Sequence, residues 1–165
     1  MSPCTATVDS VAELDCAHAF TQIATIDLPQ AFVGYGPLPA VTGIADGAAA
    51  WQSVGQHRTL MLADGSTARE ELTEFTVPRA YAYRVTDYSS VLRFVVNHAQ
   101  ARWEFEPIGK QQCRIRWHYA YYPRNWLAAP LVWIIVRTLW TAYMRRSLRL
   151  CVQLAEQSTT NGDSR

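Results

Sequence analysis

The sequence lacks several features that mark common function classes. Charged residues make up only 18% of the 165 residues, and 15 basic against 14 acidic side chains leave a net charge of +1. A sequence-independent grip on nucleic acid needs a basic surplus, so nucleic-acid binding is not expected. There is also no GxSxG motif and no glycine-rich phosphate loop. These absences argue against a serine hydrolase of that type and against a nucleotide-binding loop.

The four cysteines show no metal-binding pattern. Cys4, Cys16, Cys113 and Cys151 form no CxxC pair and have no histidine at ligand spacing. We therefore expect no metal site and no cofactor, and we interpret the cysteines as reduced thiols. The N-terminus has neither a basic start nor an apolar run, so no secretory signal is expected. Both observations favour a cytoplasmic location.

The longest apolar run, Leu127 to Val136, ends at Arg137. It is too short to span a bilayer, which takes about twenty apolar residues. We interpret the run as part of a helix packed on a sheet. A peripheral membrane contact stays open as an alternative, because Trp126, Trp133 and Trp140 are residues that favour a membrane interface.

Apolar residues are what the sequence has in quantity: 49% are hydrophobic and 12% aromatic. A chain of this length is expected to fold as one domain around one core. We predict a flexible N-terminal tail over residues 1–16, a single domain over 17–157 and a disordered C-terminal tail over 158–165.

Alternating apolar and polar residues predict an α+β chain. We expect a first strand at residues 18–28, a short helix from Pro29 and, over 36–47, a helical turn with a loop that would act as a lid. Strand patterns separated by turn residues then follow, at 48–54, 56–63, 66–77, 80–87, 91–107 and 112–123. From Ala129 to Glu156 the period becomes helical.

The turn at Asp64-Gly65 sets the expected faces of the middle strands. A two-residue hairpin places Met61 opposite Ala68 and His57 opposite Leu72, with Arg58 on the other face opposite Glu71. A similar turn at Pro78-Arg79 adds further inward positions. The predicted inward set is His57, Thr59, Met61, Ala68, Glu70, Leu72, Glu74, Tyr81, Tyr83 and Val85.

The last two strands alternate aromatic and charged residues. Pairing through a three-residue loop at residues 108–110 sets Trp103 against Ile115 and Asn97 against Tyr121, with odd positions pointing inward. A β-bulge would reverse any such assignment beyond it, because side chains alternate with a period of two.

This order of elements resembles the START-like, helix-grip superfamily, in its bacterial branch of polyketide cyclase/dehydrase and lipid transport proteins (SRPBCC-type). The segments that carry the resemblance are TIDLPQAFVGY, GAAAWQSVGQHRTLMLADGSTAREELTEFTVPRAYAYRV, ARWEFEP and CRIRWHYAYYP, ahead of the long last helix, and it covers residues 18–157. The resemblance implies a seven-stranded curved antiparallel sheet wrapped around a C-terminal helix, with two short helices after strand 1. It also implies a hydrophobic cavity between sheet and helix, with the short helices from Pro29 to Ile44 as its lid.

The inward positions give a candidate ligand-binding set for that cavity. It consists of Met61, Leu72, Tyr81, Val85, Asn97, Trp103, Trp117, Tyr119, Val136, Trp140 and Tyr143. Apolar walls with a few polar groups are typical of small-molecule pockets.

Three functions remain open from the sequence. The first is binding or transport of a hydrophobic small molecule such as a lipid, polyketide or aromatic compound. The second is an enzyme of cyclase, aromatase or dehydratase type, with His57, Glu70 and Tyr83 as its candidate catalytic residues. The Glu70 carboxylate would orient the His57 imidazole and raise its basicity, and Tyr83 would donate a hydrogen bond to a substrate oxygen. The third is a partner- or membrane-binding module without a ligand. We expect a monomer or a homodimer.

Overall fold

The structure, a computed structural model, describes residues 1–162. One antiparallel sheet of seven strands runs in the order β1-β7-β6-β5-β4-β3-β2. The strands are β1 (Cys4–Ala12), β2 (Val41–Gly47), β3 (His57–Leu62), β4 (Thr67–Thr76), β5 (Ala80–Thr86), β6 (Val96–Gly109) and β7 (Gln112–Pro123). The helices are α1 (Cys16–Ala24), α2 (Leu28–Ala31), α3 (Leu92–Val95), α4 (Ala129–Ile135) and α5 (Thr141–Gly162), and a π-helical turn (Val136–Trp140) joins the last two. We call the continuous run from Ala129 to Gly162 the C-terminal helix.

The architecture confirms the α+β helix-grip prediction. A curved seven-stranded sheet lies against a long C-terminal helix, and two short helices follow the first strand. The strands bury alternate residues, as a sheet with one covered face must. In β7, for example, Ile115, Trp117 and Tyr119 are buried while Arg116 and His118 are exposed.

The first strand is not where the sequence analysis placed it. Residues 4–12, interpreted above as a flexible tail, form β1 and pair antiparallel with β7 along its whole length. Cys4, Ala6 and Val8 are buried and the residues between them are exposed. The period of two was present, but small residues and scattered acids concealed it. The N-terminal segment is therefore an edge strand of the domain.

Residues 18–24, predicted as part of the first strand, belong to helix α1. The Asp15 carboxylate accepts a hydrogen bond from the backbone N–H of His18, which caps the helix. Phe20, Ile23 and Ala24 are buried at helical spacing. Strand β2 lies at Val41–Gly47, inside the segment assigned above to a helical turn, and residues 48–54 form a loop instead of a strand.

The C-terminal helix is longer than predicted. It runs past Glu156 to Gly162, so residues 158–162 are helical and not a disordered tail; positions 163–165 of the predicted tail lie outside the described residues. Thr141 donates its hydroxyl hydrogen to the Val136 carbonyl at 2.7 Å, which satisfies an acceptor in the π-helical turn. None of the helices in the described part of the chain is long and apolar enough to cross a membrane.

The convex face of the sheet carries ion pairs that compensate its exposed charges. Arg102 pairs with Glu74 on β4 and with Glu104 on its own strand, while Arg114 pairs with Glu106 and Arg116 with Glu104. These residues are partly exposed, so each pair contributes little to stability. The pattern shows that the charged positions of the last hairpin point outward, as predicted.

A disulfide corrects the interpretation of the cysteines as reduced thiols. Cys16, at the start of α1, is joined to Cys113, at the start of β7, across a sequence separation of 97 residues. Sequence spacing could not indicate this pair, because the fold alone brings the two residues together. Cys4 and Cys151 are free and buried. The disulfide fastens α1 to the sheet.

Candidate functional site: a cavity between sheet and C-terminal helix

A cavity of about 330 Å³ separates part of the concave face of the sheet from the C-terminal helix. Its walls come from every strand except β1, from α2, α3 and the C-terminal helix, and from loop residues at 37–39, 64–66 and 88–91. This volume lies at the lower end of the range for small-molecule sites, which is about 300–1,000 Å³.

An aromatic cluster forms the wall on the side of the C-terminal helix. The Trp140 ring lies 4.8 Å from Tyr119 and 5.4 Å from Tyr121, and it stacks on Tyr143 at 4.7 Å. Trp117 continues this cluster into the sheet, where it stacks on Trp103 at 4.6 Å. Trp140 and Val136 belong to the π-helical turn, an irregularity often found at functional sites.

The polar feature of the cavity wall is a buried ion pair. Arg58 Nε donates to Glu70 Oε2 at 2.7 Å, and the two side chains are only 6% and 8% exposed. The Arg58 guanidinium also lies over the Trp51 ring, 4.1 Å from its centroid. Trp51 in turn stacks on Tyr83 at 6.2 Å. Arg58, Glu70 and Tyr83 all reach the cavity wall, so charged and hydrogen-bonding groups meet apolar surface at this point.

Arg58 was assigned to the wrong face in the sequence analysis, and His57 and Met61 with it. The backbone N–H of Leu62 donates to the Ser66 carbonyl at 2.9 Å, which leaves a three-residue loop at Ala63–Gly65. Arg58 therefore lies opposite Glu70 and His57 opposite Glu71. Gly65 has a φ of +81°, and the Asp64 carboxylate accepts hydrogen bonds from the backbone N–H and hydroxyl of Ser66. One added loop residue moves each β3 side chain to the opposite face. His57 and Met61 are therefore exposed on the strand's outer side.

Two further residues leave the predicted inward set because of β-bulges. The register shifts between Leu72 and Glu74, so Glu74 faces outward and pairs with Arg102. It shifts again between Val96 and His98, and Asn97 is exposed. Neither bulge leaves a proline or glycine signal at its position in the sequence.

The remaining predicted residues divide between the cavity and the solid core. Val85, Trp117, Tyr119, Val136, Trp140 and Tyr143 line the cavity, as do Glu70 and Tyr83. Leu72, Tyr81 and Trp103 are buried on the same face but do not line this cavity. Trp103 pairs with Trp117 instead of Ile115, a shift of two residues that preserves the inward face. For all of these residues, a role in ligand binding or catalysis stays a prediction.

Several wall residues escaped the sequence analysis. Phe32, Val41 and Leu60 line the cavity from segments that had been interpreted as lid, loop and outward-facing strand. The Tyr121 side chain, predicted inward but left out of the ligand set, also lines it. Trp51, in the loop before β3, contacts Arg58 of the ion pair. In the sequence, the one sign of its role was a large aromatic residue between turn residues.

Burial keeps the cavity tyrosines protonated. Desolvation raises the pKa of Tyr83, Tyr119, Tyr121 and Tyr143 above the ordinary value of 10.0. For Tyr83 the negative charge of Glu70 adds to this effect. These hydroxyls are therefore hydrogen-bond donors and acceptors at neutral pH, not bases. Among the residues that the structure describes, no group of three or more His, Cys, Asp or Glu side chains is placed to hold a metal ion.

Comparison with known protein families matches residues 7–156 to the family described as polyketide cyclase / dehydrase and lipid transport. The chain belongs to this family. The matched range begins inside β1 and ends within the C-terminal helix, so it covers all residues that line the cavity and all of the sheet except the first three residues of β1. No curated protein matches the chain by sequence.

Solved structures of the same fold come from plants and bacteria. Norcoclaurine synthase of Thalictrum flavum, in complex with a transition-state analogue, matches with a TM-score of 0.68 at 12% identity over 96% of this chain and 99% of the other. Major latex-like protein 151 of Panax ginseng matches with a TM-score of 0.65 at 12% identity over 93% and 97% of the two chains. An uncharacterised protein of Bacillus thuringiensis matches with a TM-score of 0.59 at 16% identity over 93% and 98%. At such identities the likeness establishes the helix-grip fold and does not transfer an activity.

Proposed function

We propose that the protein binds a hydrophobic small molecule, such as a lipid, polyketide or aromatic compound, in the cavity between the sheet and the C-terminal helix. The observation that carries the proposal is an apolar and aromatic cavity with a single buried ion pair in its wall. The family's description, which includes lipid transport, supports the same class of ligand.

The ion pair supports a ligand with a polar group at one end. A buried pair is seldom retained for stability, because desolvation of two charges offsets most of their attraction. Arg58 and Glu70 offer donors and acceptors to a ligand oxygen or nitrogen, and Tyr83 adds a protonated hydroxyl beside them. The aromatic cluster around Trp140 would then cover the apolar part of the ligand.

A cavity-filling substitution tests the proposal. Ala68 is buried and lines the cavity, whereas Ala82 lies on the next strand with its side chain toward the convex face. We expect Ala68→Phe to weaken binding of the fluorescent probe 8-anilinonaphthalene-1-sulfonate at least tenfold, because the new ring occupies the space the probe needs. Ala82→Phe should leave the affinity unchanged.

Circular dichroism melting would show whether each variant is folded. If Ala68→Phe does not fold, Leu139→Trp, at a half-buried position of the cavity wall, serves as the second variant. Equal probe affinity in the wild type and a folded cavity variant would refute binding in this cavity.

An enzyme of cyclase or dehydratase type is the second candidate. Glu70 and Tyr83 both line the cavity, which gives a carboxylate and a hydroxyl donor within one site. His57 is exposed on the opposite face of β3 and is not part of this arrangement. Dehydration of an aryl β-hydroxyketone, followed by the absorbance of the enone, separates the candidates: catalysis predicts turnover that Glu70→Gln abolishes, and a carrier predicts none.

A further inference from the structure

An unusual set of exposed apolar side chains surrounds one side of the cavity. Large hydrophobic residues are normally exposed singly, and a group of them on one surface marks an interaction site. We call the following exposed residues the apolar rim: Val91, Phe94, Trp126, Leu127, Leu131, Trp133 and Ile134.

Two chain segments build the rim and lie side by side in the fold. The first contains α3, and the second follows β7 and leads into α4. The backbone N–H of Arg124 donates to the Val95 carbonyl at 2.8 Å, and Arg124 Nη1 donates to the Arg93 carbonyl at 3.0 Å. These bonds hold Phe94 and Trp126 on neighbouring parts of one surface.

The rim is continuous with the cavity wall. Val91 is 78% exposed and also lines the cavity. On α4, exposed Leu131 lies one helical turn before Ile135, which lines the cavity, since residues four apart are neighbours on a helix. The rim therefore adjoins the part of the cavity wall that Val91 and Ile135 form.

Within the two segments that build the rim, all charged side chains are of one sign. The sequence has no Asp or Glu between Asp87 and Glu104, and none between Glu106 and Glu156. Exposed Arg93, Arg124 and Arg137 flank the apolar side chains, and two of them lie over rim rings: Arg93 over Phe94 at 4.7 Å and Arg137 over Trp133 at 5.5 Å. The one exposed acid lining the cavity, Asp64, belongs to the β3–β4 loop.

We propose that the apolar rim docks the protein on the surface of a bilayer that contains anionic lipids, with the cavity opening toward the membrane. Tryptophan, phenylalanine and leucine enter the region between headgroups and acyl chains, and arginines beside them attract anionic headgroups. A protein partner would require complementary shape that nothing on this surface indicates. A bilayer requires only exposed apolar residues with flanking positive charge, which are both present.

Vesicle sedimentation tests the proposal with the full-length chain. Wild-type protein should bind vesicles of phosphatidylcholine with 30% phosphatidylglycerol at least tenfold more tightly than vesicles of phosphatidylcholine alone. Trp126→Ser with Leu131→Ser should reduce binding to the anionic vesicles at least tenfold. The matched control, Val54→Ser with Val77→Ser, removes two other exposed apolar residues and should have no effect.

A charge variant tests the electrostatic part. Arg137→Gln should weaken binding to anionic vesicles about fivefold, because one arginine near such a surface is worth about that factor. Arg84→Gln, on the exposed side of β5, should not. Brominated lipids should quench wild-type tryptophan fluorescence and quench Trp126→Phe less, since Trp51, Trp103 and Trp117 are buried.

Each remaining outcome would overturn the proposal. They are failure of the wild type to bind anionic vesicles, equal binding by the rim double variant, or a dimer in solution that this double variant converts to monomer without any vesicle binding. The last result would show that a second copy covers the rim. Probe binding in the cavity does not depend on this surface, so the proposed function can stand if docking fails.

Discussion

The concave face of the sheet has two ends made of similar residues but covered differently. At the packed end, Phe20 of α1 inserts among Phe75, Tyr81 and Phe105, with ring centroids 5.1–5.9 Å away. At the cavity end, the rings of Trp117, Tyr119 and Tyr121 face Trp140 beside an open volume. Aromatic composition alone therefore does not distinguish core from binding site. The element that packs against each end determines whether that end is solid core or cavity.

The chain after α1 explains why the second end stays open. Pro29 is compatible with the first turn of α2, but Pro37 and Pro39 restrict helix formation beyond it, so the segment holds only this four-residue helix and a tight turn at Tyr35–Leu38. Gly34 has a φ of +84°, and a Cβ there would approach the Leu38 carbonyl to 2.9 Å. This segment therefore contributes only a short helix and a turn to the cavity wall.

The largest effect is expected at the packed end. Phe20→Ala should lower the free energy of unfolding by about 4 kcal/mol, because it leaves a cavity in close-packed aromatic surroundings. Phe32→Ala, at the half-buried cavity wall with a ring contact to Trp117, should cost less than half as much. Urea denaturation measures both values. Equal losses would show that the two ends are packed alike.

The buried ion pair at the cavity end should give the next largest effect. Glu70→Leu leaves the Arg58 charge buried without its partner and should cost about 3 kcal/mol of unfolding free energy. The double variant Arg58→Met with Glu70→Leu should recover most of that loss. Thermal melts of the three proteins measure this. If the double variant is as unstable as the single one, the pair is a structural requirement and not a feature kept for a ligand.

The smallest effect concerns the loop that sets the β3 register. Gly65→Ala should cost about 1 kcal/mol, because alanine disfavours a φ of +81° even though a Cβ there meets no atom within 4 Å. The control is Gly109→Ala, whose backbone lies outside the left-handed region and whose Cβ would meet only the Gln112 side chain. Chemical denaturation compares them. A neutral Gly65→Ala would contradict the three-residue loop.

The two hairpins differ in how well the sequence predicted which side chains face inward. In β6–β7 the predicted register was wrong by two residues, yet the inward face was right, since a shift of two preserves alternation. In β3–β4 a shift of one residue moved Arg58 into the cavity wall and His57 out of it. The sequence Asp64-Gly65 is compatible with a two-residue and with a three-residue loop, so turn propensities do not predict which of them forms.

It was equally hard to predict which residues of the C-terminal helix are buried. The apolar run at Leu127–Val136 was interpreted as packed on the sheet, and Val132 and Val136 are indeed buried. Leu131, Trp133 and Ile134 of the same run are about half exposed, because only one face of the helix meets the sheet. The hydrophobicity of a helical segment does not show which of its faces packs against another element and which is exposed.

The sequence by itself determined the family, the α+β class, the strands from β3 to β7 followed by the C-terminal helix, and an inward face rich in tyrosine and tryptophan, because alternation and helical periodicity are local properties of the chain. The tertiary structure alone decided the Arg58–Glu70 pair, the Cys16–Cys113 disulfide, the division of that face into core and cavity, and the exposure of the apolar rim. Each of these depends on loop length or on the element packed opposite, and both bring together residues that are distant in sequence.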